Sequence, residues 1–260
     1  MTKSTVDERW RQFEDNENSW FSFWSEAKDI GYALLLINEA LADDPLPNHA
    51  TRINCSTEAV AELLDRVVLE YQTRNIRPCI FISPLTHPQN LKTTLQDIGF
   101  RERNQLHVME FAGADRIKTP EPSNMIVQRI GAELLDLWIQ IFAESFMVIP
   151  PQIKEYSARA QHLPLDGEVE LFIASLSGEP AGCAALYSKN GVGGVYSVGT
   201  LPKFRRRGVA TALLKTVVQR SKALGNNSTI LQVFSEEGPV TLYRHNGFEL
   251  RYSKNIYILR

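Results

Sequence analysis

Two short stretches of this chain are answered by two others at almost the same separation. Leu63-Leu64 in TEAVAELLDRVVLEYQTRN (57–75) corresponds to Leu213-Leu214 in GVATALLKTVVQRSKALG, an offset of 150, and LQDIGF (95–100) corresponds to YRHNGF (243–248), an offset of 148. Repetition at one period is the mark of a duplicated unit. Each copy must bury the same faces, which confines the chain to two like units rather than one irregular core. The 260 residues leave room for two domains of roughly 100 to 150 residues.

The local patterns agree with that division. In the first copy Val60, Leu63, Leu64, Val67, Val68 and Tyr71 recur at helical spacing, PCIFISP (78–84) reads as a buried strand, and KTTLQDIGF and RNQLHVMEF read as a helix and an alternating strand. AGADRIKTPEPSN, after Phe111, is turn-rich and aperiodic, so it reads as a linker. Beyond it AELLDLWIQIFAESF (132–146) is an amphipathic helix. VELFIAS, AGCAALYS and GGVYSVGT follow as strands, joined by turns at Ser177-Gly178-Glu179-Pro180 and Asn190-Gly191. A helix from Gly208 to Leu224 with Gly225 as its C-terminal stop comes next, then a strand at 228–234, a short helix in PVTLYRHNGF and a closing strand in YSKNIYILR. The expected fold is a duplicated α/β layer structure, a mixed sheet flanked by helices, with units at 1–112 and 125–260 and a linker at 113–124.

Composition excludes several classes. At 43% hydrophobic and 22% charged the chain can bury an ordinary core. No apolar run exceeds about six residues, far short of the ~20 that cross a bilayer. The N-terminal MTKSTVDERWRQFEDNEN is polar and acidic, unlike a signal peptide. Cys55, Cys79 and Cys183 are odd in number and scattered, and neither CxxC nor HExxH occurs, so no disulfide framework or metal site is expected. The expectation is a cytoplasmic, metal-free protein without a membrane or nucleic-acid partner. Charge is uneven: residues 1–70 carry 14 Asp/Glu against six Lys/Arg, whereas no carboxylate occurs from Pro180 to Ser235, where Lys189, Lys203, Arg205, Arg206, Arg207, Lys215, Arg220 and Lys222 lie. Such a window attracts phosphates, or is a solvated basic helix face.

The most informative stretch is TLPKFRRRGVATALL, where a strand ending near Thr200 runs into a helix. A helix start presents unpaired N–H groups and the positive end of the helix dipole, Gly208 lets an anion approach the backbone, and three arginines stand beside it. A Walker loop is absent. Arg205-x-x-Gly208-x-Ala210 resembles the R/Q-x-x-G-x-G/A motif of the GNAT N-acetyltransferases, GVYSVGTLPKF resembles their fourth strand and its turn, and LYRHNGF resembles their L-Y-x-x-x-G-F signature. The resemblance covers residues 126–260. It implies acetyl-CoA as acyl donor, a primary amine as acceptor and direct transfer. It implies pyrophosphate binding by Arg205, Arg206, Arg207, Gly208, Val209, Ala210 and Thr211, and pantetheine binding by Ser197, Val198 and Gly199 in a gap between 194–199 and 231–234. It makes Tyr243 the general acid that protonates the leaving thiolate, a role suited to a phenol of pKa about 10. The base is open between Glu144, Glu236 and Glu237, with Tyr196 as a possible helper. A lipase-like reading of Tyr196-Ser197-Val198 fails because Val195 stands where the elbow needs glycine.

One stretch departs from the family: Glu236 and Pro239 stand seven and four residues before Tyr243, where many relatives have Asn and Ala. The first copy departs further. Cys55-Ser-Thr-Glu58-Ala-Val60 replaces the cradle and Leu95 replaces Tyr243, so the N-terminal half resembles the degenerate half of a tandem GNAT protein. Its acidity is expected to complete an amine-attracting cleft, and residues 120–260 alone to keep cofactor binding. Two alternatives stay open: a non-catalytic acetyl-CoA or metabolite sensor, and a nucleic-acid binder, which the clustering of arginines at one helix start disfavours.

Overall fold

A computed structural model of the chain describes residues 3–113, 124–236 and 239–260. Most of the expected linker, and Glu237, lie outside the described residues. The first half runs α1 (Lys3–Ser22), β1 (Glu26–Asp29), β2 (Leu34–Ile37), β3 (His49–Thr51), α2 (Val60–Gln72), β4 (Cys79–Ile82), α3 (Leu91–Asp97) and β5 (Phe100–Phe111). The second runs β6 (Met125–Ile130), α4 (Leu135–Phe146), α5 (Pro150–Ala160), β7 (Val169–Leu176), β8 (Glu179–Lys189), β9 (Val192–Thr200), α6 (Val209–Ala223), β10 (Ser228–Phe234), α7 (Pro239–His245) and β11 (Phe248–Leu259).

All these strands form one mixed sheet in the order β1-β2-β3-β4-β11-β5-β10-β9-β8-β7-β6. The repeat is visible in it. β5 and β11 have 12 residues each, begin at Phe100 and Phe248, and pair with each other antiparallel down the centre, Phe248 opposite Phe111 and Leu259 opposite Phe100. On either side the pattern recurs: β4 pairs β11 and runs parallel to β3, as β10 pairs β5 and runs parallel to β9. Each half has therefore placed its last strand inside the other. The units expected at 1–112 and 125–260 share one sheet in space.

Local chemistry accounts for the elements. Ser177, Gly178, Asn190 and Gly191 all have positive φ, the backbone that two-residue hairpin turns require. α6 buries Val209, Leu213, Leu214, Val217 and Val218, and ends where Gly225, at φ 79°, lets the Gly225 N–H reach the Lys222 carbonyl and the Asn226 N–H reach that of Ser221. That is a Schellman stop. α1, which the sequence pattern left unassigned, crosses β8 and β9. Neighbouring Gly193 and Gly194 make room for two helices at once: a Cβ on Gly193 would collide with Ser221 of α6, and one on Gly194 with Asn16 of α1. α1 is also anchored by charge. Lys254 of β11 is fully buried and donates to Glu17 at 3.0 Å, with Glu14 at 3.8 Å. Part of the acidity of residues 1–70 is thus spent inside the fold.

Candidate active site

The site begins where two parallel strands part. β9 and β10 pair from Val192/Ser228 to Val195/Leu231 and no further. Beyond that point β10 stays with β5 as far as Phe234, and β9 stays with β8 as far as Thr200. The departure is produced by a bulge in β9: Tyr196 faces Ala185 and Gly199 faces Cys183, leaving one extra residue on β9, and Ser197 takes φ 52°. A cavity of about 420 Å³ opens there, lined by Val195 to Val198 on one side and Gln232 to Phe234 on the other. Tyr243 of α7 closes part of it, α4 and α5 supply Trp138, Phe142 and Tyr156, α1 supplies Trp20 and Phe21, and the turn after α1 supplies Trp24. Its volume lies in the range of small-molecule sites, about 300–1,000 Å³.

At the end of β9 the chain turns through Pro202–Phe204 into α6. Phe204 is buried, and Lys203 and Arg207 lie over its ring at 4.8 and 5.5 Å. Arg206 and Gly208 both have positive φ, 63° and 84°, so the loop coils left-handed immediately before the helix, and Gly208 offers α6 no side-chain cap. Arg205, Arg206 and Arg207 are exposed. Arg205 also donates to the carbonyls of Ser145 (3.1 Å) and Thr200 (3.4 Å), fastening the loop to α4. Val209 and Thr211 are buried in the core and Ala210 is half-buried, so the first turn of α6 presents main chain here more than side chains. Other cations of the acid-free window are neutralised from outside it: Glu179 pairs with Lys203, and Glu170 with Arg220.

Of the residues expected from sequence, Ser197, Val198 and Tyr243 line the cavity. Gly199 does not. It is buried, and a Cβ there would press on Ser145 at 2.8 Å, so its small size serves the packing of α4. Tyr243 is 8% exposed, with its ring edge-on to Phe248. Glu144 and Glu236 are exposed and outside the lining, because α4 turns Trp138, Ile139, Ile141 and Ser145 inward and leaves Glu144 on its solvent face. Tyr196 is in the lining, stacked on Trp20 at 4.5 Å and donating to Asn16 Oδ1 at 2.8 Å. Burial, then the nearby Glu17, raises its pKa well above 10, which keeps it protonated and unsuited to act as a base.

The sequence reading missed Asp44, Tyr156, Trp20 and Trp24. Among the described residues Asp44 is the one charged side chain in the lining. Burial raises its pKa, opposed by the Leu46 N–H and the Tyr156 hydroxyl, which donate to its two oxygens at 2.9 and 3.4 Å. The alternation Trp20, Phe21, Phe23, Trp24 was a signal of a buried face, but nothing in the sequence said what it would face.

Comparison with known proteins follows the same lines. Residues 132–248 match the Acetyltransferase (GNAT) family. A GCN5-related N-acetyltransferase from Kribbella flavida is similar in structure, with a TM-score of 0.69, 16% identity, and 95% of this chain and 94% of that one covered. A functionally unknown conserved protein from Staphylococcus epidermidis gives 0.66 at 10% identity, covering 90% and 93%. A tandem GNAT protein from the clavulanic acid biosynthesis pathway gives 0.58 at 11% identity, covering 81% and 74%. A search of curated proteins finds no match. The segment that carries the parted strands, the α6 entry and Tyr243 is a GNAT acetyltransferase domain, set in a tandem GNAT-like fold.

Proposed function

We propose that the protein is a cytoplasmic N-acetyltransferase that moves an acetyl group from acetyl-CoA directly to a primary amine, with 125–260 as the working half and 1–112 as a half that has lost the donor site. The observation that carries this reading is the parting of β9 from β10 beside the left-handed entry to α6. It supports a donor with an extended amide arm and a charged end: the unpaired strand edges suit pantetheine, and the N–H groups after Gly208, with Arg205, Arg206 and Arg207 beside them, suit a pyrophosphate. The residues present fit acetyl-CoA. In the N-terminal half Glu58 is exposed and held ionised by a hydrogen bond from Ser56, which repels phosphate, and Leu95 is buried without a proton to give.

In the reaction the amine nitrogen bonds to the thioester carbonyl carbon and the carbon–sulfur bond breaks. Tyr243 hands its phenolic proton to the departing sulfur. Glu144 and Glu236, outside the lining, reach the amine's proton only through water.

The test is thiol release from acetyl-CoA with a panel of primary amines, alongside thermal unfolding. Acetyl-CoA should stabilise the protein by mass action. Gly208→Glu should abolish that stabilisation and cost about 1–2 kcal/mol of its own, because a side chain is strained at this φ. No shift at millimolar acetyl-CoA rejects the donor site, and a shift without turnover on any amine favours a sensor.

A further inference from the structure

The cavity describes its acceptor. Ten of its 23 lining residues are aromatic and, among the described residues, one is charged. Trp24, Tyr156, Phe142 and Trp138 form a continuous wall, with successive ring centroids 5.6, 5.1 and 5.7 Å apart. The hydroxyl of Tyr156 points from that wall to Asp44, so the carboxylate sits at the edge of the aromatic surface. Asp44 belongs to the N-terminal half and Tyr156 to the C-terminal half.

The loop that presents Asp44 is fixed. Asn48 donates to the carbonyls of Leu41 and Asp44 at 2.8 and 3.1 Å and accepts the Asn38 N–H at 2.7 Å. Asn38 in turn donates to Glu155 of α5 at 2.9 Å. A carboxylate has about four acceptor positions, and two are used by Leu46 and Tyr156, which leaves capacity for N–H donors. Aromatic faces around it attract a cation through their quadrupoles. No lining lysine, arginine or histidine is present among the described residues to receive a carboxylate or phosphate on the acceptor, and there is no second acid for a second ammonium. At the turn between α4 and α5, Phe146 and Met147 carry the apolar lining to the surface, 47% and 80% exposed.

We infer that the acceptor is a monoamine on a compact apolar or aromatic body, its ammonium held by Asp44 of the N-terminal half. This rests on the acetyltransferase reading for what happens to the amine, and on the cavity alone for which amine binds. Among the described lining residues an aliphatic polyamine finds no second carboxylate, and an amino acid's free carboxylate finds no cationic side chain.

Trp20, Trp24 and Trp138, three of the four tryptophans, line the cavity and report on its occupancy without any turnover. Titrating the full chain with 2-phenylethylamine should change tryptophan fluorescence at concentrations at least about 10-fold below those needed for 2-phenylethanol, since a charge-assisted bond is the difference between them. Spermidine and phenylalanine should bind more weakly than 2-phenylethylamine. Asp44→Asn should bring the amine down to the level of the alcohol while leaving stabilisation by acetyl-CoA in place. Equal binding of amine and alcohol by the wild-type protein overturns the inference without any variant, as does an amine preference that survives Asp44→Asn or tighter binding of spermidine. Amine binding that depends on Asp44, in a protein that acetyl-CoA does not stabilise, upholds the inference and rejects the acetyltransferase reading.

Discussion

At the scale of single residues, the proposed reaction uses groups that act through the main chain and groups that act through a side chain. Gly208 and the buried Val209 and Thr211 belong to the first kind, since what they offer a ligand is the open start of α6. Tyr243 belongs to the second, and its position was legible from LYRHNGF. Tyr243→Phe should keep the packing against Phe248 and the thermal shift with acetyl-CoA, and lower kcat by on the order of 10²-fold, the lower end for loss of a general acid. The loss should shrink with a thioester whose thiol is more acidic. An unchanged kcat, with chemistry rate-limiting, reduces Tyr243 to a packing residue. Asp44 had no such motif. It is one of 14 acids in residues 1–70, and only the fold distinguishes it from Glu14 and Glu17, which face Lys254.

Among the elements, the short β3 and the loop before it set where Asp44 lies. His49 of β3 is fully buried, stacked on Phe81 at 3.8 Å, with Nδ1 bonded to the carbonyls of Pro45 and Leu46. Burial, then the Lys254 ammonium, lowers its pKa from 6.5 to about 3. A base with a depressed pKa binds its proton more readily in the unfolded chain. Its contribution to stability is therefore complete above pH 6.5 and is lost as the pH falls toward 3. Between pH 8 and pH 5 the wild-type protein should lose about 2 kcal/mol that His49→Asn does not, an order-of-magnitude figure from proton linkage. Urea unfolding of both proteins at the two pH values measures it. Parallel pH profiles show that His49 is protonated alike in the folded and unfolded chains.

For the whole molecule the decisive fact is the exchange of last strands. Without β5, β10 and β11 have no common neighbour, and each presents a bare edge. Residues 120–260 expressed alone should aggregate and show no acetyl-CoA-dependent thermal shift, contrary to what separable halves imply. A monomeric fragment with the full shift shows that β5 can be dispensed with. The complete chain should bind one acetyl-CoA, because Glu58 and Leu95 stand in the N-terminal half where Gly208 and Tyr243 stand in the other. Calorimetric titration counts the sites, and two sites make the N-terminal half a working one.

Much of this protein is written locally. The offset of 148 to 150, the periodicity of α2 and α6, the glycine stop at Gly225, the hairpin turns at Ser177-Gly178 and Asn190-Gly191, and the loop into α6 depend on residues close in sequence, so the sequence by itself determined them. The long-range assembly does not follow from such signals. Which strand lies beside β10 depends on whether β5 or β11 fills the slot, and the two carry near-equivalent patterns because they are copies. The bulge at Ser197 forms where β8 and β9 lose register, which no single strand encodes. The acceptor side of the site joins α1 and the loop at Asp44 to α4 and α5, which lie about 90 or more residues further along the chain. Burial against one another, and not any pattern within one of them, brings a lone carboxylate to an aromatic wall.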